Sequence, residues 1–470
     1  MAAAAALRRS WAGESVPAAP TELFARAVAA APQRLTVRSA EGYAFYALYP
    51  EAYAEAARAL PSDTRVIGLR SIGAGLACVV AEAIGAAPPS TVRPGGHPFE
   101  RTVELPPVDP GARYAIVDEG PGLSGSSFGA VADALEAQGV AAERIVFLPG
   151  HGGDLGPQAS PRHRERWASA RRLHVGFDVL IAPRLPGWVE DLTGPATSVE
   201  DLSGGAWRRL THGAEEAAWP PSAAHQERRK VLVRSDAGTF LLKFVGLGAH
   251  GRAAHERAQA LHTAGFTPEP LGWRQGFLVE RWVESRPLQP ADRPALLDAL
   301  ARYLAFRAAA FPAPEDAGAS PAELAEMARV NVAEGLGPEL AARLPAAPDR
   351  PGSRVYGDNR LHAWEWRADV AGRLFKTDAV DHAQAHDLIG AQPAEWDLAG
   401  AVVEHDLSRE EVAAFAPPGP SPFYVAAYAA FQLGLWTQAA DAMAGWPEEQ
   451  ARLRGQVRRY ERWLRTELAR

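Results

Sequence analysis

The first half of the chain alternates short apolar runs with alanine-rich runs of helical periodicity. RVIGL (65–69), TVELPP (102–107), YAIVD (114–118), RIVFLP (144–149) and FDVLIAP (177–183) read as strands, and GLACVVAEAIGA (75–86) and the stretch after residue 125 as helices. Strands alternating with helices predict a mostly parallel α/β sheet. Residues 150–176 are glycine-rich and then basic, which predicts a loop and one helix. Around 195–228 the chain turns polar and rich in proline and alanine, the composition of a junction. RKVLVRSDAGTFLLKFVG (229–246) carries two alternating runs about an SDAG turn and predicts a β-hairpin. A helix is expected over 252–264, two strands over 269–283, and mainly helices beyond about 290, broken by 354–382. The pattern shows no tandem repeat. It predicts an α/β domain over 1–195, a linker over 196–228 and an α+β domain over 229–470.

A length of 470 residues suits two or three domains. Hydrophobic content of 47% and charged content of 22% are those of a globular protein. A net charge of −7 argues against a general nucleic-acid binder. The single cysteine, Cys78, excludes an internal disulfide and a cysteine-rich zinc site, and fits a reducing compartment. MAAAAALRRSW lacks the apolar core of a signal peptide, and no run approaches the roughly 20 apolar residues of a membrane span. A cytoplasmic protein is expected, with small molecules as partners and neither nucleic acid nor membrane; whether it forms a homodimer stays open. Of the 49 basic residues only Lys230, Lys243 and Lys376 are lysines. In a chain biased to arginine, a retained lysine is a candidate for chemistry that needs a compact ammonium.

Residues 114–140, YAIVDEGPGLSGSSFGAVADALEAQGV, place Gly120, Gly122 and Gly125 between a strand and a helix. The GxGxxG spacing matches a dinucleotide site, whose glycines bring backbone to a pyrophosphate. Such a site needs an acid after the next strand, and there FLPGHGG offers none before Asp154. Two acids, Asp118 and Glu119, instead precede the glycines, where carboxylates can accept from a ribose diol. The following N–H groups and hydroxyls can cradle a monophosphate at the helix start. A glycine-rich turn without a ligand is the plainer alternative.

The hydrophobic strand, acidic pair and small-residue loop resemble the phosphoribosyl-pyrophosphate (PRPP) motif of type I phosphoribosyltransferases, with serines where that family usually carries threonines. The resemblance implies that Asp118 and Glu119 hold the ribose, and that Gly122, Ser124, Gly125, Ser126 and Ser127 hold the 5′-phosphate. VIGLRSIGAGLA (66–77) resembles the pyrophosphate loop, which places Arg70, Ser71, Ile72 and Gly73 at the leaving group. VRPGGHPFERTV (92–103) stands where the family has a flexible loop, with Arg93, His97 and Arg101 in reach of the pyrophosphate. The implied chemistry displaces pyrophosphate at the anomeric carbon with Mg²⁺. Asp118 and Glu119 then serve by charge, because the sugar gains positive character in the transition state.

In the second half, Lys243 lies on the second hairpin strand, and Glu256 follows thirteen residues later in a helix. A strand lysine paired with a helix glutamate holds ATP phosphates in kinase folds. With GFLVERWVESRPL (276–288) as the adenine-contacting strand and hinge, residues 229–440 resemble the aminoglycoside phosphotransferase and choline kinase branch of that fold. The resemblance implies ATP contacts from Lys243, Glu256, Glu280, Trp282 and Arg360. In VYGDNRLHAWEW (355–366) Asp358 takes the catalytic position, Tyr356 replaces the family's histidine, and Ala363 stands where the family has a metal-binding asparagine. His362 or Glu365 are the substitutes at hand. In GRLFKTDAVDH (372–382) Asp378 is the expected Mg²⁺ ligand and Asp381 its competitor. In EWDLAGA (395–401) Asp397 is expected to brace the catalytic loop. His382 and His386, spaced i,i+4, with Asp387, offer a further metal reading, for which a polar loop is the alternative.

The expected protein is a phosphoribosyltransferase-like α/β domain followed by a protein-kinase-like α+β domain. Its expected activity is bifunctional: Mg²⁺-dependent phosphoribosyl transfer from PRPP or its reverse, and ATP-dependent phosphorylation of a hydroxyl. The rivals are a PRPP-sensing protein with a degenerate kinase-like scaffold, and two independent enzymes on one chain. The acceptor pockets, whether in 1–60, around EGYAFYALYPEAY, or in 150–195, carry no motif that names a base.

Overall fold

The computed structural model describes all residues except 17–20, 32–39, 157–158, 225–226, 385–388, 417 and 470. The chain forms two compact units, Met1–Leu185 and Pro186–Arg470.

Unit one is built on a five-stranded sheet in the spatial order Ser90–Val92, Arg65–Leu69, Tyr114–Val117, Ile145–Leu148, Arg171–Arg172. Every neighbouring pair is parallel, with Val66 opposite Ala115 and Ala115 opposite Val146. The central strands read as unbroken apolar runs because both faces are covered. Val66, Ala115, Val117, Val146 and Leu148 face a core with the helix Ile72–Ile84. Ile67, Ile116 and Phe147 face the other, with Phe128 and Val131 of the helix Ser126–Glu136 and with Trp167. In chain order the strands run 2-1-3-4-5, so the crossovers leave in opposite directions from Arg65–Leu69 and Tyr114–Val117. Ligands of open parallel sheets bind at that divergence, beyond the carboxyl ends of the two strands. The loops 70–73 and 118–125 both begin there.

Unit two begins with an antiparallel five-stranded sheet in the order Pro270–Arg274, Phe277–Arg281, Gly238–Phe244, Lys230–Ser235, Ala196–Asp201. The expected hairpin is present, with Ser235 opposite Gly238 across a two-residue turn. The helix Gly248–Thr263 follows, and its Ala254, Ala258 and Leu261 share a core with Leu278, Leu300, Tyr303 and Trp366. The remainder is mainly helical, around Trp396, Tyr428, Leu433 and Leu464. A small sheet of Ser285–Pro287, Trp366–Asp369 and Leu374–Lys376 interrupts the helices. The helix Pro422–Ala442 is apolar nearly all round, as a buried helix is. Among the described residues no helix is long and apolar enough to cross a membrane.

Four expectations are corrected. Residues 102–107 do not form a strand; Glu100–Thr102 pairs with Gly95–His97 as a short hairpin, and Pro106 and Pro107 have no N–H for a ladder. FDVLIAP is a helical turn, Phe177–Leu180, with the 3₁₀ turn Ala182–Arg184, and the fifth strand is Arg171–Arg172. An apolar run that short does not separate strand from helix. The unit boundary falls at Leu185, not after 195. Residues 196–228 are no linker: Ala196–Asp201 pairs with Lys230–Ser235, and buried Arg208 bonds Glu449 Oε2 at 2.8 Å. An edge strand needs few apolar residues, which is why its polar composition reads as a junction.

Gly73 fixes the approach of the two loops of unit one. A Cβ there would lie 2.5 Å from the Val117 carbonyl oxygen and 3.1 Å from Asp118 Oδ1. Gly73→Ala is expected to destabilise the protein by about 1–3 kcal/mol. Urea unfolding measures it, and an unchanged midpoint would show that the approach is not tight.

Candidate functional sites

At the strand divergence of unit one, Asp118 and Glu119 follow the buried strand Tyr114–Val117. The chain then turns through Gly122 and Gly125, at φ +64° and +65°, and Gly125 caps the helix Ser126–Glu136. Glu119 Oε2 accepts from the Gly42 N–H at 2.8 Å, and the Tyr53 hydroxyl donates to the Asp118 carbonyl at 2.8 Å. Part of EGYAFYALYPEAY therefore walls the acid pair. Burial pushes the Asp118 carboxyl up to about 7, with the Glu119 charge adding to it. Burial also raises Glu119.

The serines divide. Ser124 Oγ and Ser126 Oγ donate to the Pro98 carbonyl at 2.9 and 2.6 Å, so the tip of the short hairpin sits on the loop. In this conformation the Pro98 carbonyl therefore engages both hydroxyls. Ser127 is half-buried, and Gly122 is exposed. Arg70 is exposed and donates to Thr91 Oγ1 at 3.0 Å; the Arg70–Ser71 peptide is cis, and Ser71 caps the helix Ile72–Ile84. Arg93 is exposed, Arg101 donates to Gly96 O at 2.8 Å, and His97 Nδ1 accepts from the Phe99 N–H at 3.3 Å.

In unit two all three lysines of the chain converge. Lys243 is 3% exposed and donates to Asp378 and, at 2.9 Å, to Asp381 Oδ1. Burial works against the Lys243 ammonium, but these two carboxylates outweigh it and hold it above the ordinary lysine value. Lys376 is wholly buried and donates to Glu365 Oε2 at 2.6 Å, Asp358 Oδ2 at 3.0 Å and the Asp378 carbonyl. Lys230 is the cross-strand partner of Lys243, bonds Glu227 at 3.0 Å, and helps to hold Asp378 ionised. Glu280, opposite Leu241 on the next strand, faces the same interior. Burial raises its carboxyl to about 8, Lys243 opposes this, and Asp378 and Asp381 add to it.

Asp358, 1% exposed, is the centre of the network. Oδ2 accepts from the Tyr303 hydroxyl and from Lys376; Oδ1 accepts from His382 Nδ1 at 3.2 Å and the Arg360 N–H at 3.3 Å. Burial opposes its ionisation, but Lys376, His382 and Arg307 prevail and hold it well below the usual carboxylate range. Burial disfavours the His382 imidazolium, yet Asp378 and Asp358 raise it to about 9. The expected brace is present: Asp397 accepts from the Asp358 and Asn359 N–H groups at 2.7 and 2.9 Å. Arg307 donates to the carbonyls of Tyr356, Gly357 and Ala379 at 2.9, 2.7 and 2.7 Å, tying the two acidic loops together. Tyr303 and Arg307, one turn apart on the helix Arg293–Ala310, escaped the sequence reading. Their signal was polar groups at i,i+4 on an otherwise apolar face.

Two expected residues are corrected. Glu256 is exposed and does not pair with Lys243; its neighbour Arg257 points inward and donates to Val380 O at 2.7 Å, so the helix is turned one residue from the expected phase. His362 faces Glu404 at 3.4 Å and stacks on Trp364, away from the acidic cluster. Asp381 is held by Arg228 at 3.1 Å as well as by Lys243. Glu365, Asp378 and His382 bring ligand atoms within 4.8 Å of one another, a donor set whose carboxylates suit Mg²⁺. Trp282 is half-buried with Nε1 on Glu284 at 3.1 Å, and the Arg360 side chain is half-buried. His386 and Asp387 lie outside the described residues.

No protein-family model matches the chain, and no curated protein matches it. Among solved structures it is similar to the choline kinase LicA from Streptococcus pneumoniae, at 14% identity over 61% of this chain and 98% of that one, with a TM-score of 0.38. It is similar to a choline/ethanolamine kinase family protein from Mesorhizobium loti, at 16% identity over 51% and 88%, with a TM-score of 0.34. Spectinomycin phosphotransferase APH(9)-Ia, in complex with ADP and its antibiotic, gives 11% identity over 60% and 93%, with a TM-score of 0.38. The chemistry is read from the side chains described above.

The raised Asp118 carboxyl makes stability pH-dependent. The unfolded chain releases that proton near pH 4. The folded chain releases it at about 7, so between these values the folded state holds more protons and stability falls as pH rises. Asp118→Asn should be more stable than the wild type at pH 8 by about 1–3 kcal/mol and equal to it near pH 4. Thermal melts across that range test it; parallel profiles would mean that Asp118 ionises freely.

Proposed function

We propose that unit two is an ATP-dependent phosphotransferase acting on a small-molecule hydroxyl, and that unit one binds PRPP for phosphoribosyl transfer or its reverse. The observation that carries the first half is the bracing of Asp358. Its main-chain N–H and that of Asn359 are fixed by Asp397, while Lys243 and Asp378 meet beside it. A rigid carboxylate beside a cation and a hard-oxygen donor set is what phosphoryl transfer needs, since catalysis there is mostly positioning and charge neutralisation.

In this reading Lys243 exchanges its carboxylate partners for polyphosphate oxygens, and Asp378 and Glu365 hold the divalent ion. Bound there, Mg²⁺ supplies charge neutralisation for the triphosphate. Asp358 orients the acceptor hydroxyl and takes its proton late, consistent with its low proton affinity. Glu280, on the strand Phe277–Arg281, and Trp282 just after it stand at the strand and hinge proposed for adenine. In unit one, Asp118 and Glu119 accept from the ribose hydroxyls, and the loop from Gly122 to Ser127 takes the 5′-phosphate once Pro98 withdraws from Ser124 and Ser126.

A binding protein with a degenerate kinase-like unit is the second reading. Ala363 and the mutual neutralisation of Lys243, Lys376, His382 and Arg228 with Asp358, Glu365, Asp378 and Asp381 favour it.

Calorimetric titration with ATP and with PRPP, each with and without Mg²⁺, tests both pockets. Asp358→Asn should retain ATP binding and lower phosphoryl transfer by about 10²–10⁴-fold in an acceptor screen. Lys243→Ala should weaken ATP binding at least about tenfold, the loss of one charge-assisted contact. Absence of ATP binding sinks the phosphotransferase, retained binding without turnover selects the second reading, and absence of PRPP binding removes the role given to unit one.

A further inference from the structure

Kinase-type sites hold a second divalent ion through an asparagine of the catalytic loop. Here the corresponding residue is Ala363, whose methyl group offers no ligand, and His362 beside it is committed to Glu404. A positive charge nevertheless sits between Asp358 and Glu365. Lys376, on the strand Leu374–Lys376, brings its ammonium to Glu365 Oε2 at 2.6 Å and Asp358 Oδ2 at 3.0 Å, with the Asp378 carbonyl as third acceptor. An ammonium has three N–H donors, and three oxygens from three different residues receive them. The side chain is wholly buried, so this cation does not exchange with solvent. It also comes from a residue type used only three times in the chain, and the compact ammonium fits where a planar guanidinium would not. Among the described residues, one cluster brings three metal-ligating side chains together: Glu365, Asp378 and His382.

We propose that the Lys376 ammonium is a built-in replacement for the second divalent ion, so that the site takes one divalent ion per nucleotide. The inference rests on the phosphotransferase reading. Lys376 is here a positioning residue: it neutralises Asp358 and Glu365 and fixes the Asp358 carboxylate against Tyr303 and His382, without touching the transferred group.

Electron paramagnetic resonance of Mn²⁺ counts the bound ions on the full chain, with a non-hydrolysable ATP analogue at saturation. The wild type should bind one Mn²⁺ per chain. Lys376→Met frees the Asp358 and Glu365 oxygens and should bind two. Lys376→Met combined with Asp358→Asn removes both charges of that ion pair, leaves Glu365 and Asp378 for the first ion, and should return to one. Two ions in the wild type, or one in a folded Lys376→Met variant, overturns the inference while leaving the phosphotransferase reading intact. If Lys376→Met fails to fold, the wild-type count decides alone. Failure of the analogue to bind overturns the phosphotransferase reading and this inference with it, an outcome distinct from a wrong ion count.

Discussion

Carboxylates packed together, Asp358 and Asp381 buried and Glu365 and Asp378 half-buried, need cations beside them, and this constraint shapes the second unit. Asp358, Glu365, Asp378 and Asp381 come from two short loops around a three-stranded sheet. Lys376 arrives from that sheet, Lys243 from the antiparallel sheet, Arg228 from the approach to its hairpin, and His382 from the loop itself. Breaking one buried pair leaves an uncompensated charge and typically costs about 3–5 kcal/mol. The two sheets and the helix of Arg307 are therefore held in register by electrostatics as much as by the apolar core. Such networks add little net stability over a hydrophobic core. Their presence fits a role in chemistry.

The acid pair of unit one obeys the opposite rule. Asp118 and Glu119 have hydrogen bonds and tyrosine walls nearby but, among the described residues, no lysine or arginine bonded to them. The result is a carboxyl whose proton is held to about pH 7, where Asp358 and Asp378 of unit two are ionised far below their usual range. An uncompensated acid pair at a strand end attracts hydroxyl donors and cations. A pre-paired cluster instead exchanges internal partners for ligand ones. The same residue type thus sits in two different electrostatic settings, decided by whether the fold delivers a cation.

The sequence made legible what local pattern determines. The three central parallel strands, the hairpin of Lys243, the loop after Asp118 and the brace from Asp397 all follow from periodicity or short-range motif, and the structure contains each. What it hid depends on tertiary placement. Glu256 and Arg257 are adjacent on one helix, and which of them faces inward is set by packing of Ala254 and Ala258, not by the charge spacing from Lys243. His362 looked like a spare ligand until Glu404, forty-two residues on, claimed it. Arg307 braces two loops from a helix with no motif of its own. The scarcity of lysine was the one compositional signal that pointed across the fold, because all three meet at one site.

Asp358 carries the argument one step further. Its two oxygens offer about four lone-pair directions, and Tyr303, Lys376, His382 and the Arg360 N–H supply four donors. On the phosphotransferase reading proposed above, an acceptor hydroxyl replaces one of them. Lys376 is anchored by two further oxygens, and Tyr303 by Arg307 at 2.9 Å. The Arg360 N–H belongs to the braced loop. His382 is the contact free to exchange: it is among the longest at 3.2 Å, and its other nitrogen lies 3.5 Å from Asp378 Oδ1. Displacing it from Asp358 leaves its charge beside Asp378, where a polyphosphate can receive it. On that reading, the entry of an acceptor and the repositioning of a cation toward the nucleotide are one movement of one side chain.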